Sequence, residues 1–223
     1  MSDYGVIFDM DGVLVDSYQA HFESWRRVAT KRGLQMTEAD FARTFGRTSR
    51  EIIRQLWPGR FSDEDVSQFD GEKEAAYREI LRHDFPQMPG AGDLLAALHE
   101  AGFRLAIGSS GPKENVALVV QCMMNGHLIS ATVDGSEVSR GKPDPQVFLL
   151  AAKKLGLRPE QCAVVEDAIA GVEAARRAGM AAIGLTGTAR RQELSKWAHL
   201  VVDSLKELTV EIVGETIRKN HNS

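Results

Sequence analysis

The stretch Val6-Ile7-Phe8-Asp9-Met10-Asp11-Gly12-Val13-Leu14-Val15-Asp16-Ser17 begins as an apolar run and then meets two carboxylates one residue apart. Val6, Ile7 and Phe8 have the composition of a short buried strand. In extended backbone, residues two apart project to the same side, so Asp9 and Asp11 are expected to address one point at the strand's C-terminal end. Carboxylates that close repel, and a divalent cation or a shared proton relieves the repulsion. Gly12 permits the sharp turn that follows. Taken alone, Asp-x-Asp-Gly is also what a polar strand end running into a loop looks like.

Past Ser17 the period changes from strand to helix. Phe22, Trp25, Val28 and Ala29 fall at helical spacing, with Gly33 as the stop. Thr37 and Asp40 are spaced as a capping box. Residues 45–49 read as a loop, Ile52, Ile53, Leu56 and Trp57 as a helix stopped by Pro58-Gly59, and residues 62–81 as a longer helix. No strand is expected between Tyr18 and His83. After Pro89-Gly90, strands expected at 103–107, 131–133, 162–165, 181–185 and 200–202 alternate with helices. Repeated β-then-α units with continuous apolar strands predict an α/β fold, a doubly wound parallel sheet of Rossmann-like type. The expected division is a core of residues 1–16 and 87–223 and a helical cap of residues 17–86, inserted after the first strand as a lid over Asp9 and Asp11. Lys219 to Ser223 are expected to form a loose tail.

The composition excludes several function classes. Lys and Arg total 27 against 31 for Asp and Glu, a net charge of −4, which argues against a nucleic-acid surface or a polybasic membrane patch. Cys122 and Cys162 are the only cysteines, so a disulfide framework is not expected. With no signal peptide and no long apolar segment, the expectation is a cytoplasmic protein, and a monomer, as no apolar surface stripe stands out.

In parallel α/β sheets, ligands gather at the C-terminal ends of the strands. The residues that follow each strand therefore name the candidates. Asp9 and Asp11 follow the first. Gly108-Ser109-Ser110-Gly111 follows the second, a segment of hydroxyls and backbone N–H groups leading into a helix start that favours an anion. Lys142 sits in Gly141-Lys142-Pro143-Asp144-Pro145, held on a stiff loop, and Glu166-Asp167 ends the strand from Cys162. Singly, these are a helix-capping turn, a surface lysine and an N-cap carboxylate. Together they supply a nucleophile, a second carboxylate, donors, a cation and a further acidic pair, the set required for phosphoryl transfer through an aspartyl-phosphate with one Mg²⁺.

On Asp9-Met10-Asp11-Gly12, Ser109, Lys142 within Gly-Lys-Pro-Asp-Pro, and Glu166-Asp167, the chain resembles the haloacid dehalogenase superfamily over nearly its full length. The resemblance implies that Asp9 attacks phosphorus. It implies that Asp11 protonates the leaving oxygen and then activates water, and that Ser109, with Ser110 beside it, and Lys142 hold the phosphoryl group. Mg²⁺ would be held by Asp9, the backbone carbonyl of Asp11 and Asp167, with Glu166 adjacent or ligating. An acid at position 11 fits phosphate monoesters and counts against dehalogenation.

Val165-Glu166-Asp167-Ala168 and Gly12-Val13 look more like β-phosphoglucomutases and small sugar-phosphate phosphatases than phosphoglycolate phosphatases. His21 stands where those enzymes carry a lid histidine. Gly46, Arg47 and Arg50 fall in a segment that resembles the mutase substrate loop, with Arg50 as phosphate clamp, but Phe45 replaces the usual lysine. A mutase must hold a second phosphate, so the expectation leans to a phosphatase of a small phosphorylated metabolite, with β-phosphoglucomutase second and a non-catalytic phosphometabolite-binding module third.

Overall fold

Val6, Ile7 and Phe8 are wholly buried, each contributing roughly 1.5–3 kcal/mol by burial. In the computed structural model, which describes residues 4–221, they lie in β1 (Gly5–Phe8). The other strands are β2 (Arg104–Gly108), β3 (Ile129–Val133), β4 (Cys162–Glu166), β5 (Ala181–Leu185) and β6 (Leu200–Val202). They form one parallel sheet in the order β3-β2-β1-β4-β5-β6. The order reverses direction beside β1, the switch point at which ligands enter doubly wound sheets. The fold is α/β and Rossmann-like.

The helices are α1 (Tyr18–Lys31), α2 (Glu38–Thr44), α3 (Ser49–Leu56), α4 (Asp63–His83), α5 (Ala91–Glu100), α6 (Lys113–Cys122), α7 (Gln146–Leu155), α8 (Ile169–Arg177), α9 (Arg191–Leu194) and α10 (Val210–His221). The chain divides into two compact units, residues 1–16 with 86–223, and residues 17–85. In the first, α7 and α8 bury Phe148, Ala151, Val172 and Ala175 in one apolar cluster with Ile7 and Val164 of the sheet. The second consists of α1 to α4 around Trp25, Phe41, Ile53 and Phe69. Its helix starts are fixed locally, because Thr37/Asp40, Thr48/Glu51 and Ser62/Asp65 all form reciprocal capping boxes. Each cap is worth about 1 kcal/mol.

Where the first unit's chain leaves and returns, residues 14–16 and 86–88 run antiparallel. The Asp16 N–H donates to the Pro86 carbonyl (2.8 Å), the Met88 N–H donates to the Leu14 carbonyl (3.0 Å), and Val15 bridges to Gln87.

At the C-terminal end the structure corrects the expected loose tail. Lys219, Asn220 and His221 close α10, whose buried face includes Val213, Thr216 and Ile217, while Asn222 and Ser223 lie outside the described residues. The apolar spacing of 210, 213 and 217 extends the helix up to the charged end that sequence polarity alone marks as tail.

Candidate active site

Sheet pairing continues one residue past β1, because the Asp9 N–H donates to the Val165 carbonyl at 3.0 Å. The backbone then turns. The Met10 carbonyl accepts from the N–H groups of Val13, Leu14 and Val15, and Gly12 adopts φ 80°. Asp11 is half-buried, forms an isolated parallel bridge with Val15, and lies near enough to Asp9 for its charge to act on that carboxyl. Asp9 also meets Glu166 and Asp167. All three are buried, and each offers an oxygen within 4.8 Å of the others.

Parallel register explains the convergence. Phe8 aligns with Val165 of β4 and with Ile107 of β2, so Asp9, Glu166 and Ser109 leave the sheet at the same end. Lys142 arrives on the loop between β3 and α7. Its Nζ donates to Asp9 Oδ1 at 2.5 Å and to Glu166 Oε1 at 2.7 Å, which commits two of its three donors. Glu166 Oε2 accepts the Ala168 N–H at 2.7 Å, so each Glu166 oxygen has a protein partner. Two glycines make room for the acids. A Cβ at Gly171 would stand 1.7 Å from Glu166 Oε1, and one at Gly12 would stand 2.1 Å from Asp167 Oδ2.

The electrostatics follow from three carboxylates and one ammonium out of water. Burial, with repulsion from Glu166 and Asp11, outweighs the pull of Lys142 and pushes the Asp9 carboxyl up to about 7. Burial, then Glu166 and Asp9, hold the Asp167 carboxyl well above the usual carboxylate range. Burial works against the Lys142 charge, but Asp9 and Glu166 more than compensate and keep it firmly protonated. A buried, oxygen-only donor set with excess negative charge fits a hard divalent cation such as Mg²⁺.

Beside this cluster, the buried Ser109 donates its N–H to the Val133 carbonyl, and its Oγ accepts the Gly111 N–H at 3.0 Å. The hydroxyl proton is thereby left as a donor. Ser110 is exposed.

A family model described as haloacid dehalogenase-like hydrolase matches residues 5–179. The chain belongs to this family. Among haloacid dehalogenase-like relatives, hexitol phosphatase A of Escherichia coli is 34% identical over 206 residues, 92% of this chain and 93% of that protein. Beta-phosphoglucomutase of Bacillus subtilis is 29% identical over 217 residues, 94% of this chain and 93% of that protein. A solved hydrolase of the family, subfamily IA variant 3, from Entamoeba histolytica superposes with TM-score 0.85 at 29% identity, covering 96% of this chain and 99% of its own.

The remaining site candidates of this haloacid dehalogenase-like chain lie in the helical unit. His21 stacks on Tyr77 with centroids 4.1 Å apart, and its Nδ1 lies 2.9 Å from Lys73 Nζ. An ammonium can only donate, so Nδ1 accepts in this contact, as in the Nε2–H tautomer. Lys73 is itself buried and paired with Glu74 at 2.7 Å. It is the residue that reading the sequence missed. The signal was a lysine on the α4 seam Val66, Phe69, Tyr77, Leu81, where an apolar residue is expected. Gly46 is exposed at φ 83°. Arg47 donates to Gln55 Oε1 (2.6 Å), and Arg50 pairs with Asp63 (2.7 Å), which Arg54 also holds. Phe45 packs edge-on against Tyr18 and Phe41.

Proposed function

We propose that this chain is a Mg²⁺-dependent phosphatase that hydrolyses a small phosphorylated metabolite, a sugar phosphate, through an aspartyl-phosphate on Asp9. The observation that carries the reading is the Lys142 ammonium bound to both Asp9 and Glu166 inside a buried acidic cluster. Lys142 restrains the nucleophile's charge and has a donor left for a phosphoryl oxygen, and the Ser109 hydroxyl supplies another. An Asp9 oxygen attacks phosphorus as the bond to the leaving oxygen breaks, and Asp11 gives that oxygen its proton. Asp11 then takes a proton from water as the water oxygen attacks phosphorus and the Asp9–phosphorus bond breaks, releasing inorganic phosphate. Asp9, Asp167 and the Asp11 carbonyl would hold Mg²⁺, which when bound supplies charge neutralisation and a Lewis acid.

Hydrolysis is favoured over mutase action by the helical unit's loop. Position 45 offers an aromatic ring, and Arg47 and Arg50 are already bonded to Gln55 and Asp63. The phosphatase names of relatives such as hexitol phosphatase A support the same reading. The β-phosphoglucomutase alternative draws on the Bacillus subtilis relative. The reading extends to a monomer in a reducing cytoplasm, which suits its unpaired Cys122 and Cys162.

The test is phosphate release with Mg²⁺ across a panel of sugar phosphates, beside conversion of β-glucose 1-phosphate primed by α-glucose 1,6-bisphosphate. Rapid phosphate release that disappears in Asp9→Asn is expected. Primed formation of glucose 6-phosphate with little phosphate released would overturn hydrolysis in favour of the mutase.

A further inference from the structure

The loop 139–146 that carries Lys142 is tied end to end by the Gln146 side chain, with an ion pair from the exposed Arg140 to Asp144 at 3.0 Å across it. Gln146, the first residue of α7, accepts at its Oε1 the backbone N–H groups of Ser139 and Arg140, both at 3.0 Å, and the Ser139 hydroxyl at 3.2 Å. Its own N–H donates to Asp144 Oδ1 at 3.0 Å, and the Asp144 N–H donates back to the Gly141 carbonyl at 3.0 Å. The start of the loop is thus tied to its end, and the middle is closed by a turn around Lys142. Two turns' distance is not involved: Phe148, in the same first turn of α7, lies under the lysine, with Nζ 4.9 Å from the ring centroid.

These bonds are not a helix cap. A capping side chain accepts from the first N–H groups of its own helix, whereas the Gln146 oxygen accepts only from loop amides and the Ser139 hydroxyl upstream of Lys142. We infer that Gln146 is a positioning residue for Lys142, setting the loop so that the ammonium reaches Asp9 and Glu166. The inference rests on the phosphatase reading for its effect on turnover, but not for its effect on Lys142 itself. Three donors converge on an amide oxygen that has two lone pairs, so a carboxylate serves at least as well. Glutamate at the first helical position is also favoured by the helix dipole.

The experiment compares Gln146→Met, which keeps the volume and removes the acceptor, with Gln146→Glu, in the full-length protein. Lysine trinitrophenylation rates are mapped by peptide mass, with melting temperature and sugar-phosphate kcat/KM measured alongside. Gln146→Met is expected to raise the Lys142 labelling rate about fivefold or more, with Lys154 and Lys206 unchanged. An ångström of displacement then lowers kcat/KM by about 10–100-fold. Gln146→Glu should label and turn over like the parent. Unchanged Lys142 labelling in Gln146→Met overturns the inference, as does faster labelling of all three lysines with a lowered melting temperature. Failure of the parent to release phosphate from any panel member would overturn the phosphatase reading instead, and the labelling result would still decide the role of Gln146.

Discussion

Replacing Asp9 by Asn should change how stability depends on pH, apart from abolishing turnover. The Asp9 carboxyl, ordinarily near 3.8, titrates at about 7 in the folded, metal-free protein because burial and neighbouring carboxylates disfavour its charge. Between those values the folded state holds the proton more tightly than the unfolded chain, so stability falls as pH rises through the window and is lowest above it. At about 1.4 kcal/mol per pH unit, the full fall is roughly 4 kcal/mol. Asn at position 9 cannot titrate, and its side-chain oxygen can still accept from Lys142. In EDTA, Asp9→Asn should therefore lose less stability than the parent between pH 5 and pH 8. About 2.7 kcal/mol of that fall lies between pH 5 and pH 7, so at about 2–4 °C per kcal/mol for a chain of this size the difference in melting temperature between the two proteins should shift by about 5 °C or more across that range. Added Mg²⁺ should stabilise the parent more than the variant at pH 8. Parallel melting profiles for the two proteins in EDTA would refute the reasoning, because they would mean that Asp9 carries no electrostatic cost on folding.

Lys142→Met leaves Asp9 and Glu166 without their shared cation and should destabilise the protein at pH 7.5 by about 3–5 kcal/mol in urea titration, a loss below 1 kcal/mol counting against a buried ion pair. Gly171→Ala should destabilise and inactivate together, since the added methyl collides with the Glu166 oxygen that holds Lys142; calorimetry and phosphate release measure both. Gly71→Ala, on the exposed side of α4 with open space around it, should instead raise stability by roughly 0.5–1 kcal/mol without affecting turnover. In Lys73→Met, the ¹⁵N shifts of His21 should move from a predominantly Nε2–H ring toward a mixture of tautomers, and an unchanged spectrum would remove Lys73 as the cause.

Much of the site was legible because strand ends are local signals. An apolar run that stops at an acid or at a glycine–serine turn identifies its own C-terminal end, and parallel pairing brings those ends together. Asp9, Ser109 and Glu166 could be grouped on that basis before any coordinate was known. Asp11 follows beside the turn closed on the Met10 carbonyl, where its charge still acts on Asp9. Lys73 is not legible in this way. A buried lysine looks like a surface one until its partners are known, and His21 lies 52 residues away in sequence. At the C-terminal end, the polarity of residues 219–221 reads as tail, yet charged residues are common in the last turn of a helix and α10 runs on to His221.

The short antiparallel ribbon at residues 14–16 and 86–88 bears on the protein's evolvability. Chain ends held side by side by two hydrogen bonds can be joined by almost anything: a two-residue hairpin turn, the present four helices, or a larger insert. Neither the sheet order nor the acids at its edge depend on what is spliced there. Lineages could therefore exchange one module for another, acquiring new substrates while inheriting unaltered chemistry.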